Sequence, residues 1–193
     1  MLYKLYLVEK LTVVQEQLQR MRQMNKYYHH QFLIDVRFLF IISILLLIVE
    51  STIKFYLIPF VSLFGAVLLA FHAHYLIFSR NFSDFLEQKI NNMLGEELLI
   101  AHKLENKYFF PIQDKKIVVA GFGSSFSWFG FVTLFITSYG IGFFIYGLLN
   151  IQFSTSPIYL TLLLVSSLIT LIIGYWWFVY GEGEKRLRRI YEG

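Results

Sequence analysis

An imidazole titrates near neutral pH and is a common metal ligand, so the histidines are the first residues with chemistry to offer. His72 and His74 stand inside a hydrophobic run that closes at Arg80. An ionisable group at membrane depth costs at least about 2.5–3.5 kcal/mol on insertion scales unless it is paired or wetted, which makes each a candidate proton, ion or headgroup site. The plainer reading is a hydrogen-bonded histidine near the interface. Two residues along a helix turn through about 200°, so the two rings point to opposite faces and cannot chelate one ion together. His29 and His30 adjoin the preceding hydrophobic run and Asp35 follows them, the ligand types of a zinc or iron site. No i, i+4 pair and no Glu-x-x-His spacing accompanies them, so neither a metal nor a cofactor is expected.

Other polar residues offer less. Glu50 and Lys54 flank a short turn, where an exposed ion pair contributes well under about 1 kcal/mol, although the same place suits an entry or gating group. The segment Gly121, Phe122, Gly123, Ser124, Ser125 has amides to offer a phosphate, but it lacks the lysine and spacing of a P-loop and reads as a flexible lead-in. Lys185, Arg186, Arg188 and Arg189 suit anionic lipid headgroups, at roughly 1 kcal/mol per residue near the surface. Without a single cysteine, disulfides, thiolate nucleophiles and Cys-based clusters are excluded.

The elements that must position these residues follow from hydropathy. Of 193 residues 56% are hydrophobic and only 16% charged, too few charges for a water-soluble domain. Four apolar runs have the roughly 20 residues needed to cross a core of about 30 Å. The chain therefore reads as an all-α integral membrane four-helix bundle of two transmembrane hairpins, with two cytoplasmic amphipathic helices. Residues 1–31 form the first of those, since Leu7, Leu11, Val14, Leu18 and Met21 recur at heptad steps with charges elsewhere. That seam is too short for an isolated coiled coil and calls for another helix or the membrane surface.

The first hairpin is expected over 32–80: a span from Phe32 to Glu50, a tight turn to Lys54, and a span from Phe55 to Ser79 with Pro59 in its first turns. Residues 81–127 hold the second amphipathic helix, Asn81 to Glu105, and the Gly/Ser-rich lead-in. The second hairpin occupies 128–180, with spans Trp128 to Leu149 and Ile158 to Tyr180 and an aromatic belt of Tyr175, Trp176, Trp177 and Tyr180. Residues 181–193 form a basic tail. The third span carries Gly130, Thr133, Thr137, Ser138 and Gly142, small residues whose spacing lets helix backbones approach in lipid.

Of the 17 lysines and arginines only Lys54 falls on the outer side of this scheme, which puts both termini in the cytoplasm of a multi-pass protein of the cell (inner) membrane. No removable signal peptide is expected. The net charge of +4 then belongs to membrane lipids rather than to nucleic acid. The order helix, span, span occurs twice, with Asn25, Lys26, Tyr27 echoed by Asn106, Lys107, Tyr108, as in a parallel duplication.

With so little chemistry in the spans, the leading expectation is a non-enzymatic membrane subunit or adaptor acting through its cytoplasmic helices, as a homo-oligomer or with a partner membrane protein. A small oligomeric channel or transporter, resting on the small-residue third span and His72, is the alternative. A lipid-modifying membrane enzyme built on His72, His74, Asp35 and the segment AGFGSSFS, residues 120–127, is a third.

Overall fold

The computed structural model describes residues 2–104, 128–151, 156–183, 185, 186 and 189. Among these the chain is all helical: α1 Leu2–Ile48, α2 Ile53–Leu94, the single turn α3 Ala101–Leu104, α4 Trp128–Asn150 and α5 Pro157–Gly174, which runs on into a π turn at Tyr175–Val179. The four long helices are each long and apolar enough to cross a membrane. No helix break separates the expected amphipathic arm from the first span, or the second span from the helix after Arg80. The reason is local: Leu2–Ile48 contains neither glycine nor proline, and neither does α2 after Gly65, so nothing interrupts the amide ladder. A crossing takes about 20 residues, and helices of 47 and 42 leave about half of each over.

The chain divides into two compact units, Met1–Phe32 with His72–Gln113, and Leu33–Phe71 with Asp114–Gly193. In unit one the heptad-spaced Val14 and Leu18 of α1 form a buried core with Leu86 and Ile90 of α2, and Leu11, Met21, Phe82, Phe85 and Met93 pack around it. Asn25 meets Ser79 and Tyr28 meets Tyr75, so the two helices run antiparallel. The second amphipathic helix stops at Leu94 rather than continuing to Glu105. Gly95 turns the chain at φ +73°, and its N–H bonds the Asn91 carbonyl at 2.9 Å in an αL cap. The Asn91 side chain secures the segment beyond this turn: its Oδ1 accepts from the Leu98 and Leu99 amides at 3.1 and 2.9 Å, and its Nδ2 donates to the Leu99 carbonyl at 2.8 Å.

No atom lies within 4 Å of a β-carbon placed on Gly95, so the cost of a side chain there is purely conformational. Gly95→Ala is expected to destabilise unit one by about 1 kcal/mol. A thermal midpoint in detergent equal to the parent's would refute that.

In unit two the hairpin turn is built by side chains. Ser51 Oγ accepts from the Ile53 amide at 3.3 Å at the start of α2, and Lys54 Nζ donates to the Leu47 carbonyl at 3.2 Å at the end of α1. Because α2 begins at Ile53, Pro59 falls in its second turn, just past the positions where a proline removes no helix bond. There the ring removes an amide that would have bonded the carbonyl of residue 55. Its flat surface is used instead for close packing. A β-carbon on Gly147 of α4 would stand 2.8 Å from Pro59 Cδ and 2.7 Å from Ile58 Cγ2, so α4 lies directly on α2 at this point. Gly65 does the same for α1, whose Leu39 Cδ1 would lie 2.8 Å from an added β-carbon.

Tyr159 of α5 joins them by donating its hydroxyl to the Tyr56 carbonyl at 2.9 Å, its ring set edge-on to Tyr56 and Phe60. Hydroxyls on the helices bond back one turn, Ser43 to Leu39, Thr137 to Thr133 and Thr170 to Ser166, which satisfies them within their own helix. Ile58, Phe143 and Leu163 are buried, but Leu149 is 80% and Ile158 73% exposed among many other large apolar side chains. An apolar exterior of that extent is stable against lipid tails and unstable against water.

Candidate functional site

The polar groups of unit one are concentrated where α1 faces α2. Glu87 is 3% exposed and takes a 2.7 Å hydrogen-bonded ion pair from Arg22 Nη2, whose side chain is half in solvent. A buried carboxylate persists only when such a donor reaches it. Closer to His72, Asn25 Nδ2 donates to Ser79 Oγ at 3.0 Å and to the Leu76 carbonyl at 3.3 Å, and Ser79 Oγ donates to the same carbonyl at 3.1 Å. Ser79 is wholly buried. These bonds have one geometric effect: sliding α1 along α2 by a turn would strand a carboxylate and a carboxamide, so the pair has a single register.

Beyond Asn25 the contact becomes aromatic. Tyr28 stacks on Tyr75 with ring centroids 4.6 Å apart, Tyr27 meets Tyr28 edge-on at 5.3 Å, and His72 is tilted against Tyr28 at 5.9 Å. Burial, followed by the nearby Tyr75 and Tyr27 phenols, pushes the Tyr28 phenol up from its ordinary value and keeps it neutral to higher pH. His74 meets Tyr75 edge-on, centroids 5.7 Å apart. The two imidazoles, both half-buried, thus contact different members of the stacked pair, His72 on Tyr28 and His74 on Tyr75. His29 and His30 are exposed. Among the described residues no three His, Asp or Glu side chains gather into a group able to hold a metal ion.

The remaining candidates fall in unit two. Asp35 is half-buried on α1, and Glu50 is exposed just past the end of that helix. On α4, Gly130 lies in the first turn, Thr133 is half-buried, Thr137 and Ser138 are exposed, and a β-carbon on Gly142 would meet nothing within 4 Å. The close approach of α4 to α2 is at Gly147, one turn and a half further on. Lys185 Nζ sits 3.7 Å from the Tyr180 ring centroid, and the Arg186 guanidinium lies 5.5 and 5.4 Å from the rings of Trp176 and Trp177 while its Nε donates to Glu182 at 3.1 Å. Arg189 is exposed. Arg188 and the segment Gly121–Ser125 lie outside the described residues, as does the Asn106, Lys107, Tyr108 echo.

Glu87 and Asn91, not singled out from the sequence, are both buried and bonded. Their spacing carries a signal: each follows a core position, Leu86 and Ile90, by one residue, and the two share a face at i, i+4. No protein family, curated protein or solved structure matches this chain.

Proposed function

We propose that this chain is a non-enzymatic membrane subunit or adaptor, whose paired cytoplasmic helices bind a partner protein or a second copy. In this reading four helices cross the cell (inner) membrane as two hairpins and both termini are cytoplasmic. The observation that carries it is the polar-locked pairing of α1 and α2 in unit one. The buried polar side chains there bond to one another and to backbone, which builds a surface of fixed register rather than a reaction site. Its outer faces present Glu9, Lys10, Glu16, Arg20, Gln88 and Lys89 to solvent, the mixed charges of a recognition surface. The basic residues beside the span ends support the orientation.

The test uses the full-length chain in cells, with photoactivatable crosslinkers at Arg20 and Lys89 and reporter tags at both ends. The reading expects both tags inside and a crosslinked product that is either a second copy or one discrete partner. Tags on the outer face, or a chain that yields no adduct and runs as a monomer, would remove it.

A further inference from the structure

We propose that the end of α5, with the π turn after it, binds one anionic phospholipid of the surrounding bilayer. An acyl chain lies in the groove formed by Leu171, Ile172, Tyr175, Trp176 and Tyr180, and the phosphate meets Lys185. The groove holds about 590 Å³ and is lined by aliphatic and aromatic side chains. It exists because of the π turn. In a continuous α-helix five residues carry a side chain roughly 140° past its starting direction, which would turn Tyr180 away from Tyr175. Here the Tyr180 N–H bonds the Tyr175 carbonyl at 2.9 Å, five residues back, so both rings line the same groove.

The chain then brings its cations back to this aromatic end. Gly181 reverses direction at φ +76°, and Gly183 is seated so closely on Trp177 that a β-carbon would stand 2.7 Å from its Nε1. Lys185 is thereby placed over Tyr180, a groove residue, at 3.7 Å. Arg186 lies 5.5 and 5.4 Å from two indole rings and bonds Glu182 through Nε, and a guanidinium with one donor engaged keeps four for other acceptors. An apolar slot, indole and phenol rings, and an ammonium in sequence match an acyl chain, a glycerol region and a phosphate. That complementarity commits the site to an anionic lipid rather than a neutral one.

The inference rests on α5 crossing the bilayer, and its test separates the two ideas. Failure of the wild-type chain to reconstitute into vesicles would remove the crossing, and the lipid site with it. Reconstituted protein is extracted and examined by native mass spectrometry with phosphatidylglycerol and phosphatidylcholine of identical acyl chains. One phosphatidylglycerol is expected to be retained about fivefold more tightly than phosphatidylcholine, and Lys185→Gln should erase that preference while Lys185→Arg keeps it. Ile172→Ala should weaken both lipids alike, because it alters the groove and not the charge. Equal retention of the two lipids by the wild type, or an unchanged preference in Lys185→Gln, would overturn the site. So would displacement of the lipid by glycerol phosphate alone, since the acyl chain would then contribute nothing.

Discussion

Arg22→Ala should destabilise unit one by about 3 kcal/mol, the low end of what breaking a buried ion pair costs, because Arg22 itself is half in water. The loss comes from the carboxylate left behind. Glu87, 3% exposed, would lose the guanidinium that reaches it at 2.7 Å. Adding Glu87→Gln to the same chain should return most of the stability, since a neutral amide is far cheaper to bury than a carboxylate. Glu87→Ala alone should cost less than Arg22→Ala, because the arginine it orphans can turn into solvent. The four chains of this double-mutant cycle can be compared by urea midpoints in one detergent. Additive effects, with no rescue in the double variant, would show that Arg22 and Glu87 do not sense each other.

The second large effect is expected in unit two. Gly147→Val places a branched side chain where its β-carbon alone would be 2.7 Å from Ile58 Cγ2, 2.8 Å from Pro59 Cδ and 3.0 Å from Ile58 Cβ. None of these is the far end of a flexible side chain. Helices α2 and α4 must separate, at a cost of about 3 kcal/mol once the weakened packing around the site is included. Gly142→Ala supplies the contrast on the same helix. With nothing within 4 Å it should be neutral or gain up to about 1 kcal/mol from the better helix former. Thermal midpoints measured side by side decide, and a Gly147→Val chain that melts with its parent would show that α4 does not rest on Pro59.

How much of the fold is legible in the sequence depends on which force sets each feature. The extent of α4 is nearly that of the apolar run read from Trp128 to Leu149, because length and hydropathy fix a crossing directly. The heptad residues Leu11, Val14, Leu18 and Met21 fall in one cluster with their α2 counterparts, since periodicity fixes which side chains share a face. The joins at Phe32 and Arg80 are different. Polarity changes there but backbone propensity does not, and a helix responds to the second. Hydropathy puts Pro59 in the first turns of its helix, and α2, opened by Ser51 and Thr52, carries it in the second.

Partners across space leave the faintest traces. The residues that cap the loop after α2 are adjacent in sequence, but only folding shows that Asn91 spends its whole carboxamide on Leu98 and Leu99. Composition marks α4 as the helix rich in small residues without saying which face is used. The contour of Pro59 and Ile58 selects Gly147, while Gly142 looks outward. Among the chemical candidates, spacing separates His72 from His74, and it cannot supply the stacked pair Tyr28 and Tyr75 that the two rings meet.

The sparse burial of the helices in unit two bears on how such a chain can change over generations. A side chain that touches no other side chain is interchangeable with almost any other of similar oiliness, so drift at exposed positions such as Leu149 and Ile158 meets little resistance. Selection grips at the scattered points where geometry is exacting, such as the missing β-carbons at 65 and 147. Descendants would come to look unrelated letter by letter while keeping those few positions, and kinship would be read from the handful rather than from the hundred.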